Sequence, residues 1–125
     1  NTPDGTCIRD YIHIKDICSA IEKSLKFLLK KNTSDTFNIG SHKGLSNNQI
    51  VNYLKKIIRK KIDLSYVKRR KGDVSKLICN SNHIYKTLNW SAKNSSLKKI
   101  IADEIYWIKK FRKKGLTRTF KNYLK

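Results

Sequence analysis

A switch of hydrophobic period between residues 8 and 29 sets the class of fold. Residues 8–14 read Ile-Arg-Asp-Tyr-Ile-His-Ile, with β-branched residues on one parity, which is the two-residue period of a strand. From Ile17 the apolar positions recur by threes and fours, at Ala20, Ile21, Leu25, Leu28 and Leu29, the stripe of an amphipathic helix. Asp4-Gly5 is a turn signal before the strand, and Asp16 is the expected N-cap of the helix. The helix should end near Lys30 to Asn32, where positive charge suits the C-terminal end of the helix dipole.

Similar patterns follow downstream. Thr36 to Ile39 reads as a short strand, followed by a tight loop with Gly40 and Gly44. Ser46 with Gln49 three residues on forms a capping box, launching a helix whose apolar face is Ile50, Val51, Leu54, Ile57 and Ile58. Ile62 to Val67 reads as a strand, Arg69 to Asp73 as a charged turn, and Ser75 to Cys79 as a brief strand. Ser81 should cap a short helix through Ile84, Tyr85 and Leu88, and Ser95 or Ser96 opens a last one through Ile100, Ile101, Ile105 and Ile108. The expected fold class is α/β, a small mixed sheet with helices, without repeats or an internal linker.

The 125 residues fit one small domain or part of a larger one. The chain has no Met and begins at Asn1, so it is read as a piece of something longer. No apolar run approaches the roughly 20 residues that span a bilayer, and no signal segment opens the chain. A soluble, cytoplasmic protein is expected. Cys7, Cys18 and Cys79 include no CxxC pair, and His13, His42 and His83 lie far apart, so neither a disulfide framework nor a metal site is expected.

The formal charge of +20 would ordinarily suggest nucleic acid. However, 23 of the 29 basic residues are Lys, beside 16 Ile and 11 Asn against 3 Ala, a bias that follows A- and T-rich codons. The lysines also fall on nearly every segment, as solvated faces do. The stretch 112–125 is basic, and Phe111, Phe120 and Tyr123 among its lysines are read as docking a terminal helix in preference to stacking on single-stranded nucleic acid. A basic nucleic-acid-binding module is the alternative, and specific nucleic-acid binding is not expected.

Chemistry concentrates on Arg9, Arg70 and Asp73. A guanidinium donates two parallel charge-assisted hydrogen bonds to a phosphate, and an ionised carboxylate can accept from a pair of ribose hydroxyls. Arg69 and Arg70 stand in a Gly-containing turn with Asp73, and Arg9 is on the first strand. Together they have the logic of a nucleotide site, although each Arg taken singly is as readily a surface ion pair.

A resemblance strengthens this reading. The run Thr2-Pro-Asp-Gly-Thr-Cys-Ile-Arg-Asp-Tyr-Ile-His-Ile-Lys-Asp16 resembles the signature that follows the Rossmann half in UDP-glucose 4-epimerases, NAD-dependent members of the extended short-chain dehydrogenase/reductase family. Phe37-Asn-Ile-Gly40 with Lys43-Gly-Leu-Ser46 resembles that family's Asn-x-Gly loop, and Arg69-Arg-Lys-Gly-Asp73 its Arg-Arg-x-Gly-Asp turn. Leu88-Asn-Trp90 and the pair Asp103, Trp107 resemble its C-terminal helices. The likeness runs from residue 2 to about 111.

The resemblance implies that residues 1–111 are the UDP-sugar-binding C-terminal portion of such an enzyme, lacking the Rossmann half, with 112–125 a basic tail. It implies Arg9 and Arg70 as ligands of the UDP diphosphate and Asp73 as a partner of the uridine ribose. Tyr11 and Asn47 would line the same site, and Leu77 would lie beside the sugar, where N-acetylhexosamines are not excluded. The implied reaction interconverts UDP-glucose and UDP-galactose through an NAD-dependent 4-keto intermediate in a homodimeric complete enzyme. Another sugar-nucleotide epimerase or dehydratase of the same superfamily is the nearer alternative. No GxGxxG is present, and no Tyr-x-x-x-Lys pair is found in the context the family requires, Tyr66 to Arg70 giving Tyr-x-x-x-Arg. The chain therefore carries no assigned catalytic residue and should be inactive alone.

Overall fold

The computed structural model describes residues 2–59, 61–68 and 70–113. In chain order the elements are β1 (Ile8–Asp10), α1 (Ile14–Lys31), β2 (Gly44–Ser46), α2 (Asn47–Ile58), β3 (Lys76–Leu77), α3 (Asn82–Leu88) and α4 (Leu97–Lys113). β1 is central in the sheet order β2-β1-β3. It runs antiparallel to β2, Arg9 opposite Leu45, and parallel to β3, Arg9 opposite Leu77. This is the expected small mixed α/β sheet with helices.

Several boundaries differ from expectation, for identifiable reasons. β1 stops at Asp10 because His13, not Asp16, is the N-cap of α1, its Nδ1 accepting from the Lys15 N–H at 3.0 Å. Thr36 to Ile39 is not a strand. Both edges of β1 are taken by β2 and β3, and Phe37 is held by its ring, stacked on His83 at 5.1 Å and edge-on to Phe27 at 6.2 Å. The strand of this region is Gly44–Ser46, in the stretch expected to be a loop. Ile62 to Val67 forms no strand either, and Val67 is 84% exposed. The capping box at α2 is present, with Ser46 Oγ accepting from Gln49 N–H at 3.1 Å and Gln49 Oε1 accepting from Ser46 N–H at 2.8 Å. Ser96 Oγ accepts from Lys99 N–H at 3.3 Å and opens α4. α4 runs through Lys113, into the stretch assigned to the tail. The remainder of that stretch, and Arg69, lie outside the described residues.

The core is small. Ala20, Ile84 and Trp90 are buried together, with Ile12, Phe37, Ile39, Leu88 and Ala92 packed around them. Trp90 Nε1 donates to Ser19 Oγ at 2.8 Å, satisfying the indole N–H. Only Ala20 of the expected α1 stripe is buried, whereas Ile21, Leu25, Leu28 and Leu29 are exposed. Among the described residues no helix is long and apolar enough to cross a membrane.

Candidate functional site

The site is built on β1. Arg9 Nη2 donates to Asp73 Oδ1 at 2.6 Å, and its Nη1 donates to the Ile8 carbonyl at 2.9 Å. Both charged side chains are about one-quarter exposed, so water screens the pair less than a fully exposed one. The other Asp73 oxygen accepts from the Cys7 thiol at 3.7 Å. A guanidinium has five N–H donors, and these two contacts leave the rest for an anion.

Asp73 reaches Arg9 because the chain turns sharply before it. The Asp73 N–H donates to the Arg70 carbonyl at 3.1 Å, with Gly72 at φ +83°, a conformation that favours glycine. Arg70 therefore shares one tight turn with Asp73, and its side chain is exposed. Leu77 lies beside Arg9 across the parallel β1–β3 pair and is 60% exposed. Tyr11 donates its hydroxyl to Asn47 Oδ1 at 3.2 Å, and Asn47 N–H donates to the Cys7 carbonyl at 3.2 Å. Arg9, Asp73 and Leu77 thus meet at β1, with Arg70 in the adjoining turn. Tyr11 and Asn47 form a second contact at the start of α2.

Two further carboxylates, Asp10 beside the site and Asp16 in α1, hold distant segments together. Asp10 accepts from the backbone N–H groups of Ser41, His42 and Cys79 and from the Ser41 hydroxyl, tying β1 to both neighbouring segments. Gly40 lies so close that a Cβ there would sit 2.2 Å from Cys79 Cβ. Burial and the nearby Asp10 charge push the Cys79 thiol up from its usual value. Asp16, expected as a cap, is instead buried in the first turn of α1 and accepts from the backbone of Lys93 and Asn94, the Asn94 amide and the Ser95 hydroxyl. Burial pushes its carboxyl up, but these hydrogen bonds outweigh burial and hold it below its ordinary value. The readable signal was scarcity, since a basic chain with 9 acidic residues has few acceptors for its many donors.

Each histidine has its own hydrogen-bonding partners. His13 is buried, and because its Nδ1 accepts, the proton of the neutral ring sits on Nε2, which lies 3.0 Å from Asp103. His42 Nε2 accepts from Ser81 N–H, and His83 meets Asp35 at 2.9 Å. Among the described residues no group of three or more His, Cys, Asp or Glu could hold a metal ion.

Two tyrosines do have a lysine four residues on, Tyr11 with Lys15 and Tyr106 with Lys110, and sequence reasoning missed both. Tyr11 precedes the N-cap of α1 and so shares no helix face with Lys15. Tyr106 and Lys110 are on α4, where the ammonium lies 5.9 Å from the centre of the exposed ring. The starts of α1 and α2 offer little to a dinucleotide pyrophosphate: α1 has the Asp16 carboxylate in its first turn, and the first N–H donors of α2 are taken by Cys7, Thr6 and Ser46.

Among the described residues the mixed sheet with its four helices matches the C-terminal portion of epimerase and dehydratase structures. No family model matches the sequence. Its relatives are UDP-glucose 4-epimerases. The chain is 39% identical over 107 residues to the UDP-glucose 4-epimerase of Streptococcus mutans, covering 86% of this chain and 32% of that enzyme. It is 37% identical over 108 residues to UDP-arabinose 4-epimerase 1 of Arabidopsis thaliana, again with 86% of this chain and 26% of that enzyme covered. The UDP-glucose-4-epimerase of Stenotrophomonas maltophila, solved with bound NAD and formylated UDP-arabinopyranose, superposes with a TM-score of 0.82 at 28% identity, over 90% of this chain and 33% of that one. The chain thus spans about a third of the length of the relatives it matches. Other similar epimerase structures also carry NAD.

Proposed function

We propose that this chain is the UDP-sugar-binding portion of a cytoplasmic UDP-glucose 4-epimerase, and that it holds the nucleotide while chemistry is performed by residues outside these 125. The observation that carries the reading is the 2.6 Å contact of Arg9 with Asp73, which brings the strand arginine to the turn that contains Arg70. Arg9 and Arg70 are the diphosphate ligands, and Asp73, oriented by Arg9, offers its carboxylate to the uridine ribose. Tyr11 and Asn47 line the nucleotide, and Leu77 faces the sugar. Arginine contacts remote from the reacting carbon bind both sugar epimers alike, so they retain the sugar without favouring either. The likeness to a UDP-arabinose 4-epimerase favours a pentose as the second reading, with the same UDP arm.

Titrating the chain with UDP tests this. Arg70→Ala should weaken binding by about 1–3 kcal/mol, the loss expected for a charged hydrogen-bond donor. Unchanged affinity would overturn the phosphate assignment. In a coupled assay of UDP-galactose conversion the chain alone should show no turnover, and measurable activity would contradict its proposed role as a binding portion.

A further inference from the structure

We propose that Tyr66 is a positioning residue for the nucleotide site: its hydroxyl, bound to Asn48, fastens the segment carrying Arg70 to the same helix start to which Tyr11 fastens the strand carrying Arg9. The inference rests on the UDP reading above and adds a residue to it.

The first two residues of α2 each receive a tyrosine. Tyr11 donates to Asn47 Oδ1 at 3.2 Å, and Tyr66 donates to Asn48 Oδ1 at 3.1 Å. Asn48 is held ready for this. Its backbone N–H donates to Thr6 Oγ1 at 3.2 Å and its side-chain NH2 to the Asp4 carbonyl at 3.4 Å, so the oxygen is the end turned toward Tyr66. Behind it the capping box fixes Ser46, and Asp4 accepts from the Ser46 hydroxyl. The anchor is therefore rigid.

The segment it holds is not. Between α2 and β3 the described residues form no helix or strand, and Tyr66 and Val67 are 72% and 84% exposed. Among the described residues the Tyr66–Asn48 contact is the one hydrogen bond joining residues 61–68 to the rest of the chain. Arg70 follows four residues later, within a chain reach of at most about 14 Å. Arg70 is held on its C-terminal side by the turn that closes on Asp73, and the Tyr66–Asn48 bond holds the chain on its N-terminal side; fixing a donor's approach before a ligand arrives removes that ordering cost from binding. Tyr11 and Tyr66 together set the separation of the two arginine-bearing segments against one helix.

Tyr66→Phe deletes the bond and leaves the exposed ring, so the fold should be unaffected, and an unchanged far-UV circular dichroism melt verifies this. UDP titrations of the chain, of Tyr66→Phe, of Arg70→Ala and of the double variant form the test. We expect Tyr66→Phe to weaken UDP roughly two- to tenfold, the span of one hydrogen bond, and to have no effect once Arg70 is Ala. Affinity lost in Arg70→Ala but retained in Tyr66→Phe would overturn this inference and leave the UDP reading standing. An equal effect of Tyr66→Phe in both backgrounds would mean that Tyr66 touches the ligand itself, and would also overturn it. Absence of UDP binding by the parent chain, or no loss in Arg70→Ala, would overturn the UDP reading and this inference with it.

Discussion

Removing the Asp16 carboxylate should unfold this chain more readily than any change at the proposed nucleotide site. The carboxylate is 1% exposed and takes four donors from residues 93–95: Lys93 N–H at 3.2 Å, Asn94 N–H at 2.8 Å, the Asn94 side-chain amide at 2.7 Å and Ser95 Oγ at 2.6 Å. Asp16→Ala leaves these part-buried donors without their charged acceptor and should cost about 3–5 kcal/mol, at about 1–3 kcal/mol for each donor that water does not reach. Asp16→Asn keeps the shape and one acceptor oxygen. Its NH2 can donate to the Ser95 hydroxyl, but the Asn94 N–H that met the second oxygen is orphaned, for about 1–3 kcal/mol. Small domains are stable by about 5–15 kcal/mol, so the Ala variant should lose a large fraction of the chain's stability. Urea unfolding followed by the fluorescence of buried Trp90 measures both. The folded carboxyl is held below its ordinary value of 3.8, so this stabilisation is fully present above that pH and is lost as pH falls through the lower folded value. If Asp16→Ala unfolds within about 0.5 kcal/mol of the parent, the scatter of an ordinary surface change, the reasoning is wrong.

Gly40→Ala should destabilise by about 1–3 kcal/mol in the same assay, because the new methyl would sit 2.2 Å from Cys79 Cβ and 2.7 Å from Asp10 Oδ2, and neither group swings away at the end of a flexible side chain. A urea transition unchanged from the parent would show that the segment around Cys79 gives way freely. Limited alkylation at mildly alkaline pH, mapped by mass spectrometry, should label exposed Cys18 well before Cys79, whose thiol is raised by burial and by Asp10. Equal rates would contradict that placement.

Local chemistry was legible, and partner choice was not. The Ser46-Gln49 capping box, the Arg70 to Asp73 turn and the Ser96 start of α4 each depend on residues close together in sequence, and each formed as read. Ile62 to Val67 and Thr36 to Ile39 have strand-like residues but no free edge of β1 to join, and an edge is a property of the whole sheet. The apolar stripe of α1 is legible in the sequence, yet Leu29 is 76% exposed, because periodicity reports that a face exists and not what covers it. His13 was weighed only as a metal ligand, and took the capping role assigned to Asp16. At the site, Arg9, Arg70 and Asp73 could be singled out by residue type. The engagement of Asp73 by Arg9, and of Asn47 and Asn48 by two tyrosines, crosses gaps of 64, 36 and 18 residues that no local pattern encodes.

The acidic residues carry more of this fold than their number suggests. Six of the nine bridge segments distant in sequence: Asp4 to Ser46, Asp10 to Ser41 and Cys79, Asp16 to residues 93–95, Asp35 to His83, Asp73 to Arg9 and Asp103 to His13. Lysine donates and never accepts, so in a chain of charge +20 each buried or half-buried N–H that lacks a backbone carbonyl competes for these few oxygens. Asp4, Asp16 and Asp35 are all held below their ordinary values by the donors they collect, although burial opposes the shift in each. The same sign applies to all three. Acid therefore removes acceptors from several long-range contacts together while adding positive charge to a chain that already repels itself, so unfolding on acidification should be steeper than any one of these carboxylates would produce.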